Sequence, residues 1–141
     1  MDKDKVCLVS GVGPGTGAAL ARRFARGGYR VAMLARDAGR LEALEGAIAG
    51  SRGYVCDVAD ESAVNAAVAR VTEELAAPCV LLHNAVRGTF GTFMEMDPAD
   101  LETNFRVNTM GLLYLARAVV PAMLEAGEGV IIASGNTSAL R

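Results

Sequence analysis

Residues 6–17 read VCLVSGVGPGTG, and the order of residue types along that stretch decides the fold. Val6, Cys7, Leu8 and Val9 form a short continuous apolar run, the pattern of a strand buried on both faces. Glycine then recurs at 11, 13, 15 and 17, and residues 18–26 have the composition of a helix. Strand, glycine loop and helix N-terminus in succession make an anion site. The first amides of a helix have no internal acceptor, and the helix dipole places partial positive charge beside them. Glycines keep side chains away from that end, so a diphosphate can approach the backbone. The spacing is not G-x-G-x-x-G, because counted from Gly11 its third glycine falls on Thr16. It is G-x-x-x-G-x-G, through Gly11, Gly15 and Gly17. Such a loop also serves as a plain tight turn, so the weight falls on what surrounds it.

Working outward, Leu20 and Phe24 give the first helix an apolar face, Arg22, Arg23 and Arg26 take the other, and Gly27-Gly28 stops it. Residues 29–35 (YRVAMLA) read as a second buried strand, followed by a polar connection at 36–39. Leu41, Leu44 and Ile48 mark the stripe of a second helix, and residues 54–56 a third strand closed by Asp57. Asp60 is placed to cap a third helix in which Val64, Val68, Val71 and Leu75 recur at helical spacing. After Pro78, residues 79–82 (CVLL) form a fourth strand leading into His83-Asn84-Ala85, and a glycine-containing loop spans 86–96. Asp97-Pro98 then opens the longest helix, with Leu101, Phe105, Leu112, Leu115, Val119 and Met123 expected on its buried side and Pro121 as a kink or stop. Residues 130–134 (VIIAS) are expected to form a fifth buried strand.

Five short apolar strands alternating with amphipathic helices predict an α/β fold with a doubly wound parallel sheet, strand order 3-2-1-4-5, in a single domain over residues 1–141. Its ligand crevice lies outside the carboxyl ends of the strands, where the winding reverses between strands 1 and 4. The glycine loop, Arg36-Asp37, Asp57, His83-Asn84 and Ser134 each follow a strand, so all converge on that rim.

Composition narrows the function. Apolar residues are 52% and the net charge is −2, without the basic excess that nucleic acid requires. Aromatics are 5% with no tryptophan, which disfavours a base-stacking surface. The N-terminus, MDKDK, is charged, and no continuous run reaches the 18 or so apolar residues of a membrane span. A cytoplasmic protein without membrane or nucleic-acid partners is expected. Cys7, Cys56 and Cys79 lie in apolar strand-like runs, read as buried reduced thiols, and no metal-ligand spacing is present.

Taken together these residues resemble the short-chain dehydrogenase/reductase family, across the whole chain and in order. Ser10-Gly11-x-x-x-Gly15-x-Gly17 is similar to its T-G-x-x-x-G-x-G loop, Cys56-Asp57-Val58 to its aspartate after the third strand, and His83-Asn84-Ala85-Val86 to its N-N-A-G. Val107-Asn108-x-x-Gly111 is similar to its fourth-helix asparagine motif, and the strand ending at Ser134 to the one carrying its catalytic serine. His83 and Val86 depart from the family's asparagine and glycine, and His83 is read as structural. The family's Tyr-x-x-x-Lys pair, its acid/base and ribose-holding groups, follows the serine strand by about a dozen residues; no such pair occurs in these 141 residues. The resemblance therefore implies the dinucleotide-binding (Rossmann) portion of a longer enzyme, lacking strands 6 and 7 and inactive alone.

Implied roles follow. Gly11, Gly15 and Gly17 cradle the diphosphate, with backbone donors near Thr16 and Gly17. Arg36, just after the second strand, suits a 2′-phosphate and favours NADP, while the adjacent Asp37 keeps NAD open. Asp57 accepts from the adenine amino group, Val58 lies against the ring, and Asn84 and Ala85 line the ribose side. Asn108 organises a water, and Ser134 is the serine, with Thr137 or Ser138 as alternative registers. The expected activity is hydride transfer between NADP(H) and a small alcohol or carbonyl substrate; a non-catalytic dinucleotide-binding sensor or assembly module is the alternative. The helix at 98–126 is the expected homo-oligomer face.

Overall fold

The computed structural model describes residues 5–136. Five parallel strands, β1 (Val6–Ser10), β2 (Arg30–Ala35), β3 (Ser51–Val55), β4 (Pro78–His83) and β5 (Val130–Ala133), form one sheet in the order β3-β2-β1-β4-β5. The helices are α1 (Thr16–Arg26), α2 (Ala38–Ala47), α3 (Glu61–Glu74), α4 (Pro98–Phe105) and α5 (Gly111–Ala126). A π-helical turn, Arg106–Met110, joins α4 to α5. The anticipated architecture and strand order are those found.

Alternation along the strands explains why they read as unbroken apolar runs. Val6, Leu8, Ala32, Leu34 and Leu81 face one side, where α3 and α5 supply Val64, Val68, Val71, Leu115 and Val119. Cys7, Val9, Val31, Met33, Val80 and Leu82 face the other, against Ala18, Ala21, Leu41, Leu44 and Ile48 of the α1 and α2 layer. Each fully buried leucine among them stabilises the fold by roughly 2 kcal/mol relative to exposure. Aspartates begin three helices: Asp37 accepts from the Arg40 amide, Asp60 from those of Ser62 and Ala63, and Asp97 from that of Ala99.

Three expectations are corrected. The fifth strand is not buried: Val130, Ile131 and Ile132 are 51%, 41% and 47% exposed, because β5 is an edge strand and no described helix lies over its outer side. Leu101 and Phe105 are 49% and 58% exposed. They keep helical spacing, but α4 precedes the part of the helix that reaches the sheet, and Leu115, Val119 and Met123 of α5 are the buried stripe. The helix also runs through Pro121 to Ala126 before Gly127 ends it in the left-handed conformation, φ 71°.

By length and apolar composition the helical stretch Pro98–Ala126 would suffice to cross a membrane, a feature the search for continuous apolar runs missed. Its α5 half is seated on α3 and β4.

Candidate functional site

At the carboxyl ends of β1, β2, β3 and β4 a cavity of about 670 Å³ opens, within the range of small-molecule sites. Its floor is the glycine loop. No side chain caps α1, and Thr16 and Gly17, its first two residues, border the cavity with amides that lack intrahelical acceptors.

The loop glycines divide into two kinds. Gly11 sits at φ +73°, and a Cβ there would lie 2.3 Å from the Ala85 Cα. At Gly17 a Cβ would lie 2.4 Å from the Gly11 carbonyl oxygen. These two let β1, α1 and the β4 loop pack backbone to backbone. Gly13 and Gly15 have nothing within 4 Å of the same position, and Gly13 borders the cavity whereas Gly15 does not. Gly13, read only as shaping the loop, thus leaves open the space in which a Cβ would stand.

On the far side Arg36 follows β2 and Asp57 follows β3, both exposed and both lining the cavity with the buried Val58. Asp57 Oδ1 accepts from the Ala59 amide at 3.0 Å, which fixes the carboxylate at the rim. Asp37 is engaged elsewhere: one oxygen caps α2 through the Arg40 amide at 2.9 Å and the other lies 3.7 Å from the Arg40 guanidinium. Arg40 also borders the cavity, a second cation that sequence reading overlooked because it lies one helical turn beyond the strand end. Burial pushes the thiol of Cys56, another lining residue, up to about 11, so it stays a neutral wall.

The wall under β4 is a polar network. The Asn84 amide group donates from Nδ2 to the Gly11 carbonyl at 3.0 Å and accepts at Oδ1 from the Ser134 hydroxyl at 3.0 Å. Asn84 thereby joins the glycine loop to the end of β5. Asn108 lies in the π turn, and its side chain pairs with the backbone of Arg87: Oδ1 accepts from the Arg87 amide and Nδ2 donates to the Arg87 carbonyl, both at 2.8 Å. The Arg87 guanidinium in turn bonds Asp100 and Asn104. Of the sequence-derived residues, Gly11, Thr16, Gly17, Arg36, Asp57, Val58, Asn84 and Ala85 meet around the cavity. Ser134 is linked to it through Asn84, Asn108 through Arg87, and Thr137 and Ser138 lie outside the described residues.

His83 is more deeply built in than its neighbours suggested. It is 4% exposed, with Nδ1 2.9 Å from Ser10 Oγ and Nε2 3.2 Å from the Asn108 carbonyl oxygen. A carbonyl only accepts, so Nε2 carries the proton, and neutral Nδ1 accepts from the Ser10 hydroxyl. Burial lowers the imidazole pKa below its ordinary value, against the opposing pull of the Asn108 carbonyl. The folded state thus prefers neutral His83, and the unfolded chain binds the extra proton. Stability is complete above about pH 6.5 and falls as the pH drops below it. Urea midpoints are expected to be lower at pH 5.5 than at pH 7.5, and less so for His83→Asn; equal pH slopes would contradict this.

Comparison with known proteins finds a family, relatives and structural neighbours for the chain. The family model described as short chain dehydrogenase matches residues 5–140. D-threitol dehydrogenase of Mycolicibacterium smegmatis is 35% identical over 132 residues, 91% of this chain and 51% of that protein. The NADP-dependent 3-hydroxy acid dehydrogenase YdfG of Escherichia coli (strain K12) is 33% identical over 141 residues, 94% of this chain and 54% of its own length. Among solved structures, the F189W actinorhodin polyketide ketoreductase with NADPH superposes with a TM-score of 0.95 at 28% identity, covering 100% of this chain and 56% of that one. The chain spans about half the length of the relatives it matches.

Proposed function

Because the chain belongs to the short-chain dehydrogenase family, we propose that it serves an NADP(H)-dependent oxidoreductase acting on a small alcohol or carbonyl compound, and that its rim cavity seats the adenosine diphosphate half of the cofactor. The nicotinamide, when bound, supplies the hydride chemistry. The observation that carries the reading is the pairing of two anion sites at opposite sides of one cavity. The uncapped α1 N-terminus with Gly13 open beside it suits a diphosphate, and Arg36 suits a 2′-phosphate. Asp37, tied to its helix and to Arg40, leaves the local charge positive.

In this reading Gly11, Thr16 and Gly17 hold the diphosphate, Gly15 ends the approach to α1, and Asp57, Val58, Asn84 and Ala85 line the adenosine. Ser134 and Asn108 stand toward the reacting end, and Thr137 is retained as the alternative hydroxyl. A second copy of the chain docks on the helix Pro98–Ala126, whose Leu101, Phe105 and Leu113 are exposed. The test is a fluorescence titration with NADPH and NADH. Tighter binding of NADPH is expected, with Arg36→Ala weakening it by about 10- to 100-fold, the equivalent of losing charge-assisted bonds of 1.5–3 kcal/mol, and leaving NADH little changed. Equal loss for both nucleotides would refute the 2′-phosphate assignment.

A further inference from the structure

The geometry points to Ser134 as a positioning residue for the dinucleotide: acting through Asn84 it sets the glycine loop, so that the end of β5 and the diphosphate site work as one unit. The inference rests on the dinucleotide reading above and concerns which residue outside the cavity tunes that site.

Gly11, Asn84 and Ser134 are each the first residue past a strand, of β1, β4 and β5 in turn. The strand registers align them. Ser10 stands opposite His83, and His83 opposite Ala133, so the three residues that follow form a row across the rim. The row is bonded along its length. Asn84 Nδ2 donates to the Gly11 carbonyl at 3.0 Å, and Ser134 Oγ lies 3.0 Å from Asn84 Oδ1. A carbonyl only accepts, so Gly11 fixes which end of the Asn84 amide faces it. Oδ1 is then the end that faces Ser134, and the hydroxyl must donate. The other acceptor near that hydroxyl, the His83 carbonyl, is farther at 3.4 Å and already takes the Ser134 amide at 3.0 Å. The one hydroxyl hydrogen of Ser134 is therefore committed to Asn84, and Ser134 itself does not border the cavity.

The row reaches the ligand site at the Gly11 carbonyl. That oxygen also accepts from the Gly13 amide at 3.1 Å, and the Gly13 carbonyl accepts from the Ala18 amide, in the first turn of α1, at 3.1 Å. Gly17 passes so near that a Cβ there would lie 2.4 Å from the same Gly11 oxygen. Any displacement of this oxygen is passed on to Gly13 and to the start of α1, where the diphosphate would sit. Donation from Ser134 into Oδ1 polarises the Asn84 amide and strengthens what Nδ2 gives to Gly11. On the sheet β5 is held by β4 alone, so its end is the member of the row that opens most easily. A ligand that needs the loop in this setting must in return hold the end of β5.

The experiment titrates NADP+ and 2′-AMP, which lacks the diphosphate, into the native chain, Ser134→Ala, Ser134→Thr, Asn84→Ala and the Ser134→Ala/Asn84→Ala double variant, with folding checked by circular dichroism. Ser134→Ala is expected to weaken NADP+ about three- to tenfold, the range of one neutral hydrogen bond, and to leave 2′-AMP unchanged. Ser134→Thr keeps the hydroxyl and recovers most of the loss. In the Asn84→Ala background Ser134→Ala adds nothing, because its route to the loop is gone. Losses that multiply in the double variant, or an equal loss for 2′-AMP, overturn the proposal. Amide hydrogen exchange of the native chain decides it even if a variant fails to fold. Saturating NADP+ is expected to slow exchange at the Ser134 amide and leave that of Gly127, at the other end of β5, unchanged; no slowing at Ser134 overturns the proposal. Absence of NADP+ binding by the native chain overturns the dinucleotide reading and this inference with it, whereas binding that Ser134→Ala leaves intact overturns the inference alone.

Discussion

Gly11→Ala is expected to cost roughly 2–5 kcal/mol of folding stability, enough to leave much of the chain unfolded. The φ of +73° costs an L-residue about 1–2 kcal/mol. Its Cβ would also stand 2.3 Å from the Ala85 Cα and 2.4 Å from the Ala85 nitrogen. These are backbone atoms with no rotamer to yield, so relief needs a shift of the β4 loop costing about 1–3 kcal/mol more. Gly13→Ala, two residues on, meets nothing within 4 Å and is expected to melt within about 0.5 kcal/mol of the native chain. Its methyl group enters the cavity instead, so its effect falls on nucleotide affinity. Urea denaturation and NADPH titration of the two variants separate loop packing from ligand room. A native-like melt for Gly11→Ala would contradict the close packing of the glycine loop on Ala85.

Asn108→Ala is the second large effect, expected at about 2–4 kcal/mol. It removes two hydrogen bonds of about 1 kcal/mol each and leaves the amide and carbonyl of Arg87, at the foot of the 86–96 loop, without their partners. Asn108→Asp retains the acceptor for the Arg87 amide but opposes a carboxylate to the Arg87 carbonyl, so it should recover only part of the loss. Thermal melts of the two variants, with proteolysis of the loop as a second readout, check this. A melt of Asn108→Ala within about 0.5 kcal/mol of native would mean that the asparagine is not holding the loop.

These two residues also mark what was legible in the sequence. The strand order could be read because five apolar runs of three to seven residues alternate with helical stripes, and parallel crossovers have one hand. The cavity was legible because each strand ends in a polar or glycine-containing cluster. Gly11 was found by spacing, but its reason lies in the approach of Ala85, 74 positions away, which no local pattern encodes. Asn108 was flagged as a poor helix former inside a helix; its bonds to Arg87 and the π turn around it emerge only when β4 and α5 are brought together. His83 left one mark, its departure from the motif around it. Leu101, Phe105 and the β5 residues were misread for a shared reason. Periodicity and apolarity report that a surface is suited to burial, and a second surface must be present before it is buried.

The most direct test of the dinucleotide site is a backbone amide NMR titration with NADPH. Binding in the rim cavity predicts the largest shifts at Gly13, Thr16 and Gly17 on the loop side and at Arg36, Asp57 and Val58 on the adenosine side, with the opposite end of the sheet around Arg52 and Glu74 unmoved. Shifts confined to the β5 edge, or saturation without change at Thr16 and Gly17, would contradict it.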